Sequence, residues 1–189
     1  MNQQETKIND KMLMSIIDDK QEYNALLRER TAVSCWHMNE YESAAMWDLY
    51  LRSNEGVAIQ TTFHNLIESF NVSDKEIYVG KVQYIDFNSE YIPLENDLNA
   101  LLYKRKSFEH EKEIRALYPG DGVHDEDGKL KKPSFAYGID VEIDVDKLIE
   151  NVYVHPDAPS WFYNLVTSVM ETYQFEKTVV HSNLYELPK

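Results

Sequence analysis

Ile77-Tyr-Val-Gly-Lys-Val-Gln-Tyr-Ile-Asp-Phe87 alternates along its whole length. Ile77, Val79, Lys81, Gln83 and Ile85 fall on one side and Tyr78, Gly80, Val82, Tyr84 and Asp86 on the other, the period of two that predicts one long β-strand. Just upstream the period changes. Phe63, Leu66, Ile67 and Phe70 recur at i, i+3, i+4 and i+7, so 63–70 reads as an amphipathic helix. Before it, Gly56 stops a helix, and 57–62 reads as a buried strand.

The same reading extends outward in both directions. Residues 8–29 carry Ile8, Met12, Ile16, Ile17, Tyr23, Leu26 and Leu27 at helical spacing, as one helix or two short ones. A short strand over 31–36 precedes a helix over 39–52, with Asn39 at its cap and Glu42 three residues on. Downstream, a helix around 95–108 leads into a strand over 111–118, and 119–134 forms a Gly- and Asp-rich surface loop. A strand over 135–143, a single turn over 147–150 capped from Asp144 and Asp146, and a strand over 152–155 follow. A helix over 160–173 and a last strand over 178–181 complete the chain.

Short strands interleaved irregularly with helices predict the α+β class: one domain, with a mixed, mostly antiparallel sheet flanked by helices. Residues 1–30 form an N-terminal helical segment ahead of a domain spanning 31–189. No Gly-x-Gly-x-x-Gly and no Gly-x-x-x-x-Gly-Lys-Ser/Thr occurs, which excludes a Rossmann or P-loop phosphate cradle.

Composition narrows the partners. Of 189 residues 43% are hydrophobic and 12% aromatic, enough for a real core. The formal charge of −14 repels nucleic acid and anionic membrane, and only Lys104-Arg105-Lys106 and Lys129, Lys131 and Lys132 form basic clusters. Non-specific DNA binding and membrane binding are not expected. A basic protein surface is the complementary partner. The single cysteine, Cys35, allows no intrachain disulfide. With no 18-residue apolar run and no signal-peptide core at the N-terminus, a cytoplasmic protein is expected.

The densest polar cluster runs from Lys104 to Arg115. If 111–118 is a strand, Glu111, Glu113 and Arg115 share one face while Ile114 and Ala116 face the core. Paired carboxylates beside an arginine suit charge stabilisation at a sugar carbon or the binding of a divalent metal; the bland alternative is a solvated strand face. Cys35 with His37 could form a nucleophile and base, although burial as a small hydrophobe is the commoner fate of such a cysteine. Trp47 and Tyr50, at i and i+3, either pack the core or line a pocket. The six histidines show no zinc spacing, and no metal is expected.

Motif order adds a resemblance. Ser34-Cys-Trp-His37, Glu42-Ser-Ala-Ala-Met-Trp47-x-x-Tyr50, Gly56-Val-Ala-Ile-Gln-Thr-Thr62, Val82-x-Tyr84-Ile-Asp86, Lys104-Arg105-x-Ser107-Phe108-x-x-Glu111-x-Glu113-x-Arg115 and Ser182-x-Leu184 with Pro188 resemble the bacterial and phage "domain of unknown function 2971" family. Against that family the chain starts late, with only Asn9-Asp10 echoing an early turn. The resemblance implies a layout similar to ADP-ribosyltransferases and hence a toxin or defence effector using NAD. It would make Glu113 the catalytic carboxylate, Glu111 its helper and Ser34 the ribose contact. Tyr50 or Trp47 would clamp nicotinamide, and His37, Lys104, Arg105 and Arg115 would complete a nucleotide-binding set. Two other readings stand beside it. One is a non-catalytic inhibitor or immunity protein that meets a basic partner. The other is a metal-dependent nuclease using Glu111 and Glu113 with Lys104.

Overall fold

The run from Ile77 to Phe87 is not one strand. In the computed structural model, which describes residues 20–93, 95–120, 126–127 and 137–187, it breaks at Val82 into β3 (Tyr78–Lys81) and β4 (Gln83–Ile85). Each half finds a different partner. β3 pairs antiparallel with β6 (Glu113–Tyr118), and β4 pairs parallel with β5 (Tyr103–Arg105). Between them Val82 is almost fully buried, and its N–H donates to the Glu113 carbonyl at 2.9 Å. β6 begins at Glu113, so a strand that ran on past Val82 would have no partner left to pair with.

Helices and mixed sheets without a barrel place the protein in the α+β class. Among the described residues, three of the five strand pairings are antiparallel. The chain divides into two compact units, each made from two separated segments. Unit 1 comprises residues 1–37 and 77–140; unit 2 comprises 38–76 and 141–189.

In unit 1, β6 lies between β1 (Ala32–His37) and β3. The helix α1, described over 20–30, contributes Leu27, which packs with Leu101 of the short α4 (Asn99–Leu102) and with Leu117 of β6. The broad helix expected over 95–108 is thus only one turn, followed by β5 and a 3-10 helix over Lys106–Glu111. Tyr23 leans on the same cluster, and its hydroxyl donates to Asp97 at 2.7 Å.

Burial, that hydrogen bond and the charge of Asp97 push the Tyr23 phenol up to about 12. Its folded value lies above its ordinary one, so the stability it contributes is complete below about pH 10 and lost as pH rises towards 12. The urea midpoint is therefore expected to fall more between about pH 9 and pH 11.5 in the native protein than in Tyr23→Phe, which has no proton to lose. Parallel midpoint curves for the two proteins would remove this linkage.

In unit 2, β7 (Asn151–Val154) lies between β2 (Val57–Gln60), which is antiparallel to it, and β8 (Thr178–His181), which is parallel. A parallel neighbour requires a crossover, and α6 (Ser160–Thr172) supplies it. Tyr163 ties this helix to β8: its hydroxyl donates to the Val179 carbonyl at 3.3 Å and its ring stacks on His181. Helix α3 (Phe63–Ser69) starts where Thr62 accepts from the Asn65 N–H, and α5 (Val145–Leu148) where Asp144 accepts from the Lys147 N–H. Leu66 and Ser69 form the buried side of α3.

Three further expectations change. The helix placed over 39–52 shortens to α2 (Ala44–Tyr50), which starts after Ser43 without a side-chain cap bond, and the Asn39 side chain accepts from the neighbouring Glu40 N–H instead. The strand at 57–62 is an edge with Val57 and Ile59 half exposed; the buried positions belong to its central neighbour β7. Residues 137–143 form no strand: Gly138 adopts φ +121°, a conformation that breaks the extended run. The helical pattern at 8–19, most of the 119–134 loop with Lys129, Lys131 and Lys132, residues 135–136 and Pro188 lie outside the described residues.

Candidate functional site

The register of the β1-β6-β3 sheet decides which side chains can meet. His37 lies opposite Glu113, Cys35 opposite Arg115, and Ser34 opposite Ala116. Cross-strand partners project to the same face, and neighbours along a strand to opposite faces. Glu113, Arg115 and Leu117 thus share a face with Cys35 and His37. On β6 both faces are covered, Leu117 in the leucine cluster on this side and Ile114, Ala116 and Tyr118 on the other, whereas Cys35 on β1 is exposed. Ser34 projects from the other face, where its hydroxyl accepts from the Trp36 indole N–H at 3.1 Å. The expected meeting of Ser34 with Glu113 does not occur.

Glu111 reaches Glu113 by a route the strand pattern does not contain. It is the last residue of the 3-10 helix, and Lys112 takes a left-handed conformation (φ 42°, ψ 51°) that turns the chain into β6. The two carboxylates then converge on one ammonium from a third element. Lys104 of β5 donates to Glu111 Oε2 and lies 3.5 Å from Glu113 Oε1. The other oxygen of Glu113 receives Arg115 through Nε at 2.8 Å and Nη2 at 2.7 Å. Arg115 Nη1 donates to the Leu101 carbonyl, which fixes the guanidinium plane. Opposite Arg115 on β3 stands Gly80; a Cβ there would lie 2.6 Å from Leu102 Cδ1.

Tyr84 completes the cluster; the sequence names it only within the Val82-x-Tyr84-Ile-Asp86 motif, with no role at the site. It pairs with Lys104 in the parallel β4–β5 ladder, so both side chains take the same face. Its hydroxyl accepts the Glu113 backbone N–H at 2.8 Å. The alternation of 77–87 marks Tyr84 as a strand residue, but only the switch of sheets at Val82 aims it at Glu113.

The electrostatics follow from this crowding. The Glu113 side chain is 8% exposed and the other three charged side chains no more than 21%. Burial works to lower the Lys104 pKa, but hydrogen bonds to Glu111 and Glu113 and their charges outweigh it and hold the ammonium above its ordinary value. Burial raises the Tyr84 phenol, with the Glu113 N–H opposing it. Cys35 is pushed up by burial and by the Glu113 carboxylate, against the pull of Arg115, so its thiol form is favoured. A nucleophilic role needs the opposite shift.

His37 Nδ1 lies 2.6 Å from the Glu111 carbonyl. A carbonyl only accepts, so that nitrogen carries the proton. Its Nε2 is buried without a partner. Arg105 stands apart from the carboxylates, stacked at 4.8 Å over the Phe87 ring.

The remaining expected site residues belong to unit 2. Trp47 is 6% exposed, meets the His155 ring edge-on at 5.4 Å and donates through its indole N–H to Glu42 at 3.3 Å. Glu42 in turn accepts from the Ser182 hydroxyl at 3.0 Å. Tyr50 is 66% exposed. Trp47 is thus packed and hydrogen-bonded within unit 2, while Tyr50, one turn on, stands at the surface.

Among the described residues, no helix is long and apolar enough to cross a membrane, and no three His, Cys, Asp or Glu side chains converge as metal ligands. No protein-family model, curated protein or solved structure matches this chain.

Proposed function

We propose that the protein transfers the ADP-ribosyl group of NAD, with the Lys104–Glu111–Glu113–Arg115 cluster as its reaction centre. One observation carries this reading: Glu113 is a deeply buried carboxylate held between two cations at the start of a central strand. Such a group has a fixed negative charge where dielectric screening is weak. In the reaction, the bond from ribose C1′ to the nicotinamide nitrogen breaks, and its electron pair leaves with neutral nicotinamide. The positive charge that develops on the ribosyl carbon is stabilised by Glu113. An acceptor nucleophile then bonds to C1′ and loses its proton to solvent. Arg115 and Lys104 supply the cationic partners that a diphosphate needs. Glu111 shares Lys104 with Glu113, so a ribose hydroxyl that displaces Lys104 from Glu113 leaves that ammonium still paired. The reading does not require Ser34, nor a clamp from Tyr50 or Trp47.

Incubation with NAD and a mixture of protein or RNA acceptors is expected to release nicotinamide, and Glu113→Gln to reduce the rate at least about a hundredfold, as loss of one dominant electrostatic group does. Calorimetry with NAD on the native protein supplies a measurement independent of that variant. No binding of NAD, or an unchanged rate in a folded Glu113→Gln, would end the proposal.

A second reading draws support from a different observation: both Glu113 oxygens are already engaged by cations within the chain. A satisfied ion-pair network of this kind specifies structure. The protein is then a non-catalytic inhibitor or immunity component that meets a basic partner through its acidic surface. Under this reading Glu113→Gln lowers stability and nothing else.

A further inference from the structure

The negative charge of this protein is concentrated in one of its two units. Unit 2 carries fifteen Asp and Glu against five Lys and Arg, a formal −10 of the total −14. Of those five bases, Lys75 and Lys147 are paired with Asp74 and Asp144, and Lys177 donates to the Asp146 carbonyl. The same unit exposes an ordered apolar ridge on α6. Trp161, Leu165 and Val169 follow one another at i, i+4 and i+8, with Tyr173 next at the C-cap, and each is between 46% and 70% exposed. Four residues advance about 40° around a helix, so the ridge is continuous and runs for about 18 Å. The opposite side of α6 packs inward through Tyr163, so the outward ridge is not needed to hold the helix in place.

From this combination we infer that α6 docks an amphipathic helix with apolar residues on one side and lysine or arginine flanking them. The apolar side covers Trp161, Leu165 and Val169, and the basic flanks meet the acidic excess of unit 2. Helix-against-helix packing has this form, the i+4 row of α6 fitting between the side-chain rows of the incoming helix. A second copy of the chain is the poorer occupant. It would bring another formal −10 against the first, and like charge brought together at an interface opposes association. The inference goes beyond the proposed reaction: it concerns unit 2 and holds whether or not the cluster of unit 1 is catalytic.

The test uses the full chain and a synthetic helical peptide of about eighteen residues, with leucine at i, i+3, i+4 and i+7 and lysine elsewhere. A second peptide keeps the leucines and replaces lysine by glutamate. Titration followed by calorimetry is expected to show binding of the lysine peptide, weakened by added salt, and none of the glutamate peptide. The decisive variant is L165E/V169E. It adds two negative charges, so attachment by charge alone would tighten, whereas docking on the ridge would weaken at least about tenfold. Both residues are half exposed, and thermal unfolding of the variant is expected to match the native protein. Tighter or unchanged binding in L165E/V169E would overturn the proposal. So would equal binding of the two peptides, or sedimentation showing a dimer that L165E/V169E dissolves.

Discussion

Glu113→Ala is expected to destabilise unit 1 by about 3 kcal/mol, near the lower end of the cost of breaking a buried ion pair. Native Glu113 accepts from Arg115 on one oxygen and faces Lys104 on the other, with little access to water. Removing the carboxylate leaves Arg115 without its anionic partner, its guanidinium still tied to the Leu101 carbonyl. Lys104 is less affected because Glu111 still accepts from it, which sets the estimate at the lower end. For a chain of this size the shift corresponds to roughly 6–12 °C in Tm. Glu111→Ala is expected to cost less, since Lys104 can then close on Glu113. Thermal unfolding of the two single variants and the double variant measures this, and the double variant should cost more than the two singles added together, because Lys104 then keeps neither carboxylate. Additive effects would mean that the two carboxylates do not share Lys104.

Trp47→Ala is expected to cost about 3–5 kcal/mol, the range for deleting a large buried aromatic side chain. Trp47 fills the space beside His155 and donates to Glu42, which also receives Ser182. The substitution therefore opens a cavity and leaves a half-buried carboxylate with one donor fewer. Trp47→Phe keeps most of the ring and loses only the indole N–H, a long bond at 3.3 Å, so about 1 kcal/mol is expected. A clamp on a ligand would behave in the opposite way, losing affinity with little change in stability. Urea unfolding of the two variants separates these outcomes. Near-native stability in Trp47→Ala would return this residue to the list of ligand contacts. Tyr50, exposed one turn further along α2, is expected to tolerate alanine within about 0.5 kcal/mol.

Local pattern was sufficient wherever an element's identity rests on its own residues. The i, i+3, i+4, i+7 spacing from Phe63 forecasts α3, Asp144 forecasts the cap of α5, and the runs at 160–173 and 178–181 forecast α6 and β8 within a residue. Helical periodicity and capping act over three or four residues, so a single stretch contains the whole signal. Short strands among helices likewise made the α+β class legible. Charge was legible too: the acidic composition needs no coordinates, although its concentration in one unit does.

Only the tertiary structure decided the site. The alternation of 77–87 is real, yet the run divides at Val82, because a strand ends where its partner ends and not where its own pattern does. Glu111 and Glu113 were expected side by side on a strand face; they meet through a left-handed turn at Lys112 and a lysine from β5. Ser34 and Cys35 are neighbours in sequence, but the register with β6 sends Cys35 to the face that carries Glu113 and Ser34 to the other. Trp47 and Tyr50 carry the same helical spacing whether buried or exposed. In each case the deciding quantity is which surface lies opposite, and pairing between distant segments sets that quantity.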